Sequence, residues 1–489
     1  MKKKEALSQI VGNENVFDSA GILDQYSKDR SFENPIRPRY VVKPYNVEEV
    51  QGIVTWANYT GTPLIPISSG SPHFRGDTVP STGGSVIVDL SGMKKIIRIS
   101  EQNRIAIVEP GVTFAELIPE LKKNNLKLNI PLFPRSSKSV AGSLLEREPV
   151  IMPRYHWDLV DPLVCTELIY GTGDLFRTGS AAGPGTLEEQ WEVGAAQNEM
   201  SGPIQADFGR LIQGAQGTMG IVTWVSIRCE QLPVLEEPFF IESHDLEKLL
   251  EFCHQGINSR LIDDCYILNR RNISNINGKV SPFSHEDGNP SHQEWILYYM
   301  ISGPKYFPEE KLQYQLEEAS KLTKSLGLKP VKSLGDASAY DFSKWLYSFS
   351  EDTNWKLGPR GSCYDIFFLS TCDNLSILNS VMKDAAEKAG YPVSEMGVYI
   401  QPLVQGVCYH CEYNLFFNPD DDKESNMVRE LSTAALPALA DAGAFFSRPY
   451  GPWADFAYNR DAQTTINLRK IKSIFDPNNI MNPGKLCFS

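Results

Sequence analysis

The sequence predicts an α+β fold divided into more than one domain, and three observations carry that expectation. The chain has 489 residues, too many for one core when a domain usually holds about 100–200. Its first part, to about residue 230, alternates short strand and helix patterns without the regular long βαβ repeat of a doubly wound sheet. Beyond "EQLPVLEEP" (Glu230–Pro238) the helix candidates lengthen and alternate with strand-like pieces, the texture of a separate α+β unit.

Taken in order, Val47–Tyr59 carries apolar residues at helical spacing, and Leu64–Ile67 is a short apolar run that predicts a buried strand. "SVIVDL" (Ser85–Leu90) and "RIAIV" (Arg104–Val108) are rich in β-branched residues and predict further strands. Thr113–Asn124 has an amphipathic helical pattern, and Leu163–Tyr170 and Ile221–Cys229 again predict strands. In the second part the helices are expected at His244–Asn258, Glu309–Leu326, Leu375–Ala389 and Lys423–Ala442, with strands at Glu294–Ile301 and Asn414–Phe417 between them. The tail "IKSIFDPNNIMNPGKLCF" is punctuated by Pro and Gly and is expected to return to the first domain.

Composition narrows the function classes. With 42% apolar and 22% charged residues the chain is an ordinary globular protein. A formal charge of −13 without a basic stripe argues against nucleic acid as a partner, because phosphates would be repelled. Lys2-Lys3-Lys4 is followed by Glu5, Ser8, Gln9 and Asn13, which leaves no apolar signal core. No run nears the ~18 apolar residues of a membrane span, so a soluble, cytoplasmic protein is expected. Nine cysteines without a repeating framework are expected to be reduced thiols. Cys408-Tyr-His-Cys411 is a lone CxxC with no second pair for zinc, and Glu412 stands where haem attachment needs His; no metal is expected.

The chemistry is concentrated in bare backbone. "PLIPISSGSPHFRG" (Pro63–Gly76) follows a strand and holds Ser68-Ser69-Gly70-Ser71, small residues that can bring several N–H groups to one anion. A tight surface turn is the plainer reading of such a cluster. Three more Gly-rich segments follow: "VEPGVTFAEL" (Val108–Leu117), "SVAGSLLERE" (Ser139–Glu148) and "LIQGAQGTMGIVT" (Leu211–Thr223). Four such segments in one domain fit a long ligand lying against main chain, and a dinucleotide has that length. Neither GxGxxG nor GxxxxGK[ST] is present, so Rossmann and Walker sites are excluded.

In this order, P-I-S-x-G, V-E-P-G-V, S-V-x-G, G-x-M-G-I-V-T and the closing F-D-P-N-N-I-M-N-P-G-K resemble the vanillyl-alcohol oxidase / p-cresol methylhydroxylase family of FAD enzymes. The resemblance is strong over Arg37–Cys229 and the last ~45 residues and thin between about 235 and 390. It implies a PCMH-type FAD-binding domain formed by both chain ends (1–232 and 446–489) and an inserted α+β cap, or substrate, domain with an antiparallel sheet (233–445). It implies FAD contacts from Pro66, Ile67, Ser68, Ser69, Gly70, Ser71 and Pro72 at the diphosphate, and from Pro110, Gly111, Val140, Gly142, Gly220, Ile221, Val222 and Lys485 around the cofactor. Asp158, in "RYHWDLVDP", matches an aspartate beside flavin N5; capping a turn before Pro162 is the competing reading. Arg448, in "FFSRPYGPW", matches an arginine facing the flavin N1 edge and the substrate's anionic oxygen, with Tyr450 beside it. His410 or Tyr409 falls where relatives attach flavin covalently, and a satisfied core histidine is the alternative. Arg75 and Ser447 stand where the family's phenolate-binding tyrosines are expected, and a second arginine favours a carboxylate or a different phenolic compound.

The resemblance therefore implies an FAD-dependent oxidoreductase removing hydride from a benzylic or alcohol C–H of a small aromatic substrate. The rivals are an FAD-dependent 2-hydroxy-acid dehydrogenase using Arg75 and Arg448, and a non-redox binding protein on the same scaffold. Oxygen, a cytochrome subunit, a quinone or an electron-transfer flavoprotein are all compatible acceptors, and a homodimer or a complex with a small partner is the family-based expectation for assembly.

Overall fold

The Asn46 side chain accepts a hydrogen bond from the Glu49 N–H at 2.8 Å and so starts the helix Val47–Thr60, which Gly61 ends in the left-handed region. That helix lays Val50, Ile53, Val54 and Ala57 over a small sheet. The computed structural model describes residues 3–153, 162–202, 208–277, 293–335, 337–348, 354–358 and 360–488. Among these, no helix is long and apolar enough to cross a membrane.

Three sheets organise the chain. In the first, Val86–Asp89 lies between Tyr40–Val42 and Leu64–Ile67 with both neighbours parallel, and Val16–Phe17 pairs at the edge. The second is antiparallel, in the order Ile96–Ser100, Ile105–Val108, Gly220–Arg228, Leu163–Tyr170, Leu175–Arg177. The third has seven antiparallel strands: Pro330–Val331, Leu235–Ser243, Trp295–Gly303, Asp264–Asn269, Met396–Leu403, Cys408–Phe417 and Ser362–Ser370. One face of it is covered by the helices Leu246–Asn258, Leu375–Lys388 and Asp422–Asp441. The other contributes Phe240, Tyr266, Tyr298, Tyr399 and Phe416 to a core shared with the second sheet. This is the predicted α+β, PCMH-type architecture.

The expected helices and strands are all found, within a few residues, save that Asn414–Phe417 is the end of the longer Cys408–Phe417. Four long strands of the third sheet were not expected: Leu235–Ser243, Asp264–Asn269, Ser362–Ser370 and Met396–Leu403. Asp264–Asn269 is buried at every position, and Met396–Leu403 at all but its last, so neither shows the period-2 alternation that marks a strand. The chain's tail packs back onto the first sheet: the Leu64 N–H donates to Ile480 O at 2.7 Å and the Asn482 N–H to Leu64 O at 2.9 Å.

Candidate active site

The loop after Leu64–Ile67 is stitched to the segment leading into the helix Val140–Leu145. The Ser139 N–H donates to Ser69 Oγ at 3.0 Å, the Gly70 N–H to Ser137 O at 3.0 Å, and Arg135 Nη1 to Gly70 O at 2.7 Å. The Gly70 amide is thus spent within the protein, so the expected use of this loop's N–H groups for an anion does not extend to Gly70. Much of the bareness has another cause, close packing of main chain. A Cβ on Gly111 would lie 2.7 Å from three carbonyls, on Gly220 2.4 Å from Ile169 O, and on Gly142 2.8 Å from Ser68 Oγ.

The same glycines leave a groove. Pro66, Ile67, Ser68, Pro110, Gly142, Gly220 and Val222 line it, joined by Gly214, Gly217 and Tyr450. Gly217, at φ +69°, sits so near Pro66 that a Cβ would come within 2.5 Å of its ring. A narrow trough floored by backbone is what a dinucleotide requires, and these residues fit FAD. Ser69, Gly70, Ser71, Pro72, Gly111, Val140 and Ile221 do not line the groove, and Lys485 is buried in the tail.

Beside the groove lies a second cavity, walled by Phe74, Phe133, Trp355 and Tyr399. Arg75 reaches Glu146 at 3.2 Å and Glu148 at 3.7 Å, and Lys138 reaches the same two carboxylates at 2.9 and 3.3 Å. Burial alone would raise the Glu148 carboxyl, but Lys138, Arg75 and the Ser143 hydroxyl outweigh it and hold it at about 2. Arg448 is 5% exposed, stacks 4.5 Å over the Phe367 ring, and donates from Nη1 to Glu146 O at 3.3 Å. No carboxylate lies within ion-pair distance of it among the described residues. Burial and the neighbouring Arg75 charge lower its pKa to about 10. Arg75 also faces the Phe367 and Tyr450 rings, at 5.0 and 5.3 Å.

The sheet side of the cavity is set by strand alternation. On Cys408–Phe417, His410, Glu412 and Asn414 point one way, and Tyr409, Cys411 and Tyr413 the other, into the helix-covered core. Lys356 bridges Asp365 at 2.6 Å and Glu412 at 2.5 Å, and His410 Nε2 lies 3.3 Å from Glu412 Oε2. Lys356, Asp365 and Glu412 line the cavity; His410 is 1% exposed behind them, and burial lowers its pKa to about 4. Tyr409, on the opposite face beside Cys372 and Cys253, is turned away from the cavity.

The structure brings Arg75, Arg448 and Tyr450 together. Asp158, with His156 and Trp157, lies outside the described residues. Ser447 contributes its carbonyl, which accepts from Arg147 Nη2 at 2.6 Å. Sequence reasoning missed Asp77, Lys138, Glu146, Glu148, Lys356 and Phe367. The signal for the glutamates was present in "LLEREP", where charges follow directly on a glycine-marked helix start.

Comparison with known proteins bears on this geometry. Residues 38–179 match the FAD binding domain family model, and residues 454–486 match that of FAD linked oxidases, C-terminal domain. The mitochondrial D-lactate dehydrogenase [cytochrome] of Arabidopsis thaliana is 23% identical over 92% of this chain and 73% of its own length. The 4-cresol dehydrogenase [hydroxylating] flavoprotein subunit of Pseudomonas putida is 27% identical, over 51% of this chain and 46% of its own. This chain thus spans under half of that relative. Among solved structures, substrate-bound p-cresol methylhydroxylase superposes with a TM-score of 0.83 at 20% identity, covering 100% of this chain and 96% of its own. The 4-ethylphenol oxidase of Gulosibacter chungangensis, in complex with isoeugenol, gives 0.84 at 18% identity over 99% and 96%.

Proposed function

We propose that this chain, which belongs to the FAD-linked oxidases and is an FAD-dependent oxidoreductase, oxidises the benzylic or carbinol C–H of a phenolic substrate. The observation that carries the reading is the contrast between two arginines. Arg448 is buried beside an aromatic-walled cavity with no carboxylate partner among the described residues, whereas Arg75 is held by Glu146 and Glu148. One uncompensated guanidinium suits one anionic oxygen, a phenolate; a carboxylate spanning two arginines would have to pull Arg75 from both glutamates. Phe74, Phe133, Trp355 and Tyr399 offer the faces an aromatic ring stacks against.

Pro66–Ser68, Gly142 and Gly217 would hold FAD, which when bound would supply the hydride acceptor. The chain's own residues do the rest. Arg448 holds the substrate oxygen and keeps positive charge where negative charge develops. The seven-stranded unit, residues 233–445, serves as a cap that excludes water from the FAD-binding unit made by 1–232 and 446–489. Asp158 stands, on the match of motif alone, as the carboxylate beside the reacting flavin nitrogen.

The test is flavin bleaching under anaerobic conditions with phenolic alcohols, alkylphenols and 2-hydroxy acids. Phenolic compounds are expected to bleach the flavin and 2-hydroxy acids to leave it yellow. Bleaching by 2-hydroxy acids alone would overturn the reading in favour of the dehydrogenase rival.

A further inference from the structure

Oxidising the carbinol carbon of a phenolic alcohol, held as its phenolate, removes two things. The C–H electron pair leaves as hydride, which FAD would accept. The carbinol O–H electrons become the new C=O bond, and the carbinol proton must go to a base. We infer that the Asp77 carboxyl takes that proton, at the wall shared by the cofactor groove and the aromatic cavity. This inference rests on the phenolic reading above.

Position is the first argument. Asp77 lines both the groove of Ser68 and Gly142 and the cavity of Phe74 and Tyr399, so it borders cofactor and substrate alike. Its main chain is fixed, because Asp77 O accepts from Asn482 Nδ2 at 2.9 Å and the preceding Gly76 N–H donates to Asp29 Oδ2 at 2.6 Å. A base must be held within reach of its proton, and this one is held at both sides.

Availability is the second. Among the described residues the Asp77 carboxyl has neither an ion pair nor a hydrogen bond. The nearby cations are engaged elsewhere, Arg75 and Lys138 each with Glu146 and Glu148. The groups that face Asp77 come from several segments: Asp29 between the strands Val16–Phe17 and Tyr40–Val42, Lys138 and Glu146 flanking the helix Val140–Leu145, Arg75 on its own loop, and Tyr450 from the tail.

Proton affinity agrees with position. Burial, then Glu146 and Asp29, raise the Asp77 carboxyl to about 7 against the opposing pull of Arg75 and Lys138. Four other described acid–base groups around the two cavities are mismatched to neutral pH. Burial lowers His73 to about 3 and His410 to about 4, Glu148 is held at about 2, and burial pushes Tyr450 well up. A base works best when its pKa lies near the working pH, and among the described residues named here Asp77 meets this condition.

The test compares wild type, Asp77→Asn and Asp77→Glu, each loaded with FAD. Wild-type flavin reduction by a phenolic alcohol should rise with pH through about 7 as Asp77 ionises. Asp77→Asn should be slower by roughly 100-fold at about pH 8, with no break near 7, and Asp77→Glu should restore part of the rate with a shifted break. Independently of activity, the infrared carboxylic-acid band that wild type loses between about pH 6 and 8 should be missing from Asp77→Asn. Unaltered FAD content in Asp77→Asn establishes that the fold survives. A wild type reduced by phenolic compounds, with Asp77→Asn equally fast and equally pH-dependent, overturns the role of Asp77 alone. A wild type reduced by none of them overturns the phenolic reading and this inference together.

Discussion

At the scale of single residues, Arg448 is the sharpest test of the site. Arg448→Met keeps most of the side-chain volume over Phe367 but removes a charge that has no ion-pair partner among the described residues. Losing that contact in the transition state should cost about 3 kcal/mol, roughly a 100-fold fall in anaerobic flavin reduction. FAD content should hold, since the groove of Pro66, Ser68 and Gly217 is untouched, and Arg448→Lys should recover only part of the rate because a point charge cannot replace a planar fork. Reduction near the wild-type rate in the Met variant would make Arg448 structural. Glu148 gives a pH test. Its folded carboxyl is held below its ordinary value, at about 2, so its stabilisation is present above the unfolded pKa of about 4.3. That contribution is lost as pH falls from there towards 2. A scan of melting temperature against pH should therefore be flatter on its acid side in Glu148→Gln than in wild type. Of these two, only Arg448 was legible in the sequence. Its aromatic and Pro-Gly flanks marked a pocket wall, whereas Glu146 and Glu148 had the appearance of an ordinary charged helix end until folding brought Arg75 across to them.

At the scale of elements, the strand Cys408–Phe417 shows what a period of two decides. His410 and Glu412 face the cavity side with Asp365 and Lys356, and Tyr409 faces the helices. The sequence could place a flavin-linking residue near 409–411 but could not choose among them, because every position on this strand except the first is buried and hydropathy gives no face. The pairing register makes the choice. FAD in Tyr409→Phe should partition between pellet and supernatant after acid precipitation just as in wild type; a change would mean that the strand is turned over. The same face carries a buried charge bridge. Removing its cation in Lys356→Met leaves Asp365 and Glu412 facing each other in the interior, which should destabilise the protein by about 3–5 kcal/mol in denaturant titration. Adding Asp365→Asn and Glu412→Gln should return most of that loss, since no unpaired charge then remains. A single variant as stable as wild type would show that water, not Lys356, satisfies the pair. The seven-stranded sheet as a whole was the least legible element, as strands such as Asp264–Asn269 are apolar and polar at once and covered on both sides.

At the scale of the whole molecule, the site depends on a chain that closes on itself. The tail's Pro and Gly punctuation gave its return away in the sequence, but not what the return accomplishes. Lys472, from the helix Ala462–Phe475, donates to Thr218 O at 2.6 Å and Met481 O at 3.1 Å and pairs with Asp476. Asn482 then spans the groove. Its Nδ2 donates to Asp77 O at 2.9 Å and to Gln216 O at 2.7 Å, joining two loops separated from the tail by 405 and 266 residues. Asn482 is 1% exposed, so no bulk water stands ready to replace it. Asn482→Ala should leave two half-buried carbonyls without their partner, together costing about 1–3 kcal/mol, and part of that loss falls on the groove itself. The expected result is a lower melting temperature together with FAD that is lost on gel filtration where wild type retains it. Excess FAD should recover much of the melting temperature, because a ligand bound only by the folded state adds stability by mass action. An Asn482→Ala protein that melts lower yet keeps its FAD would confine this residue to the scaffold and leave Asp77 and Gln216 to be positioned by their own loops.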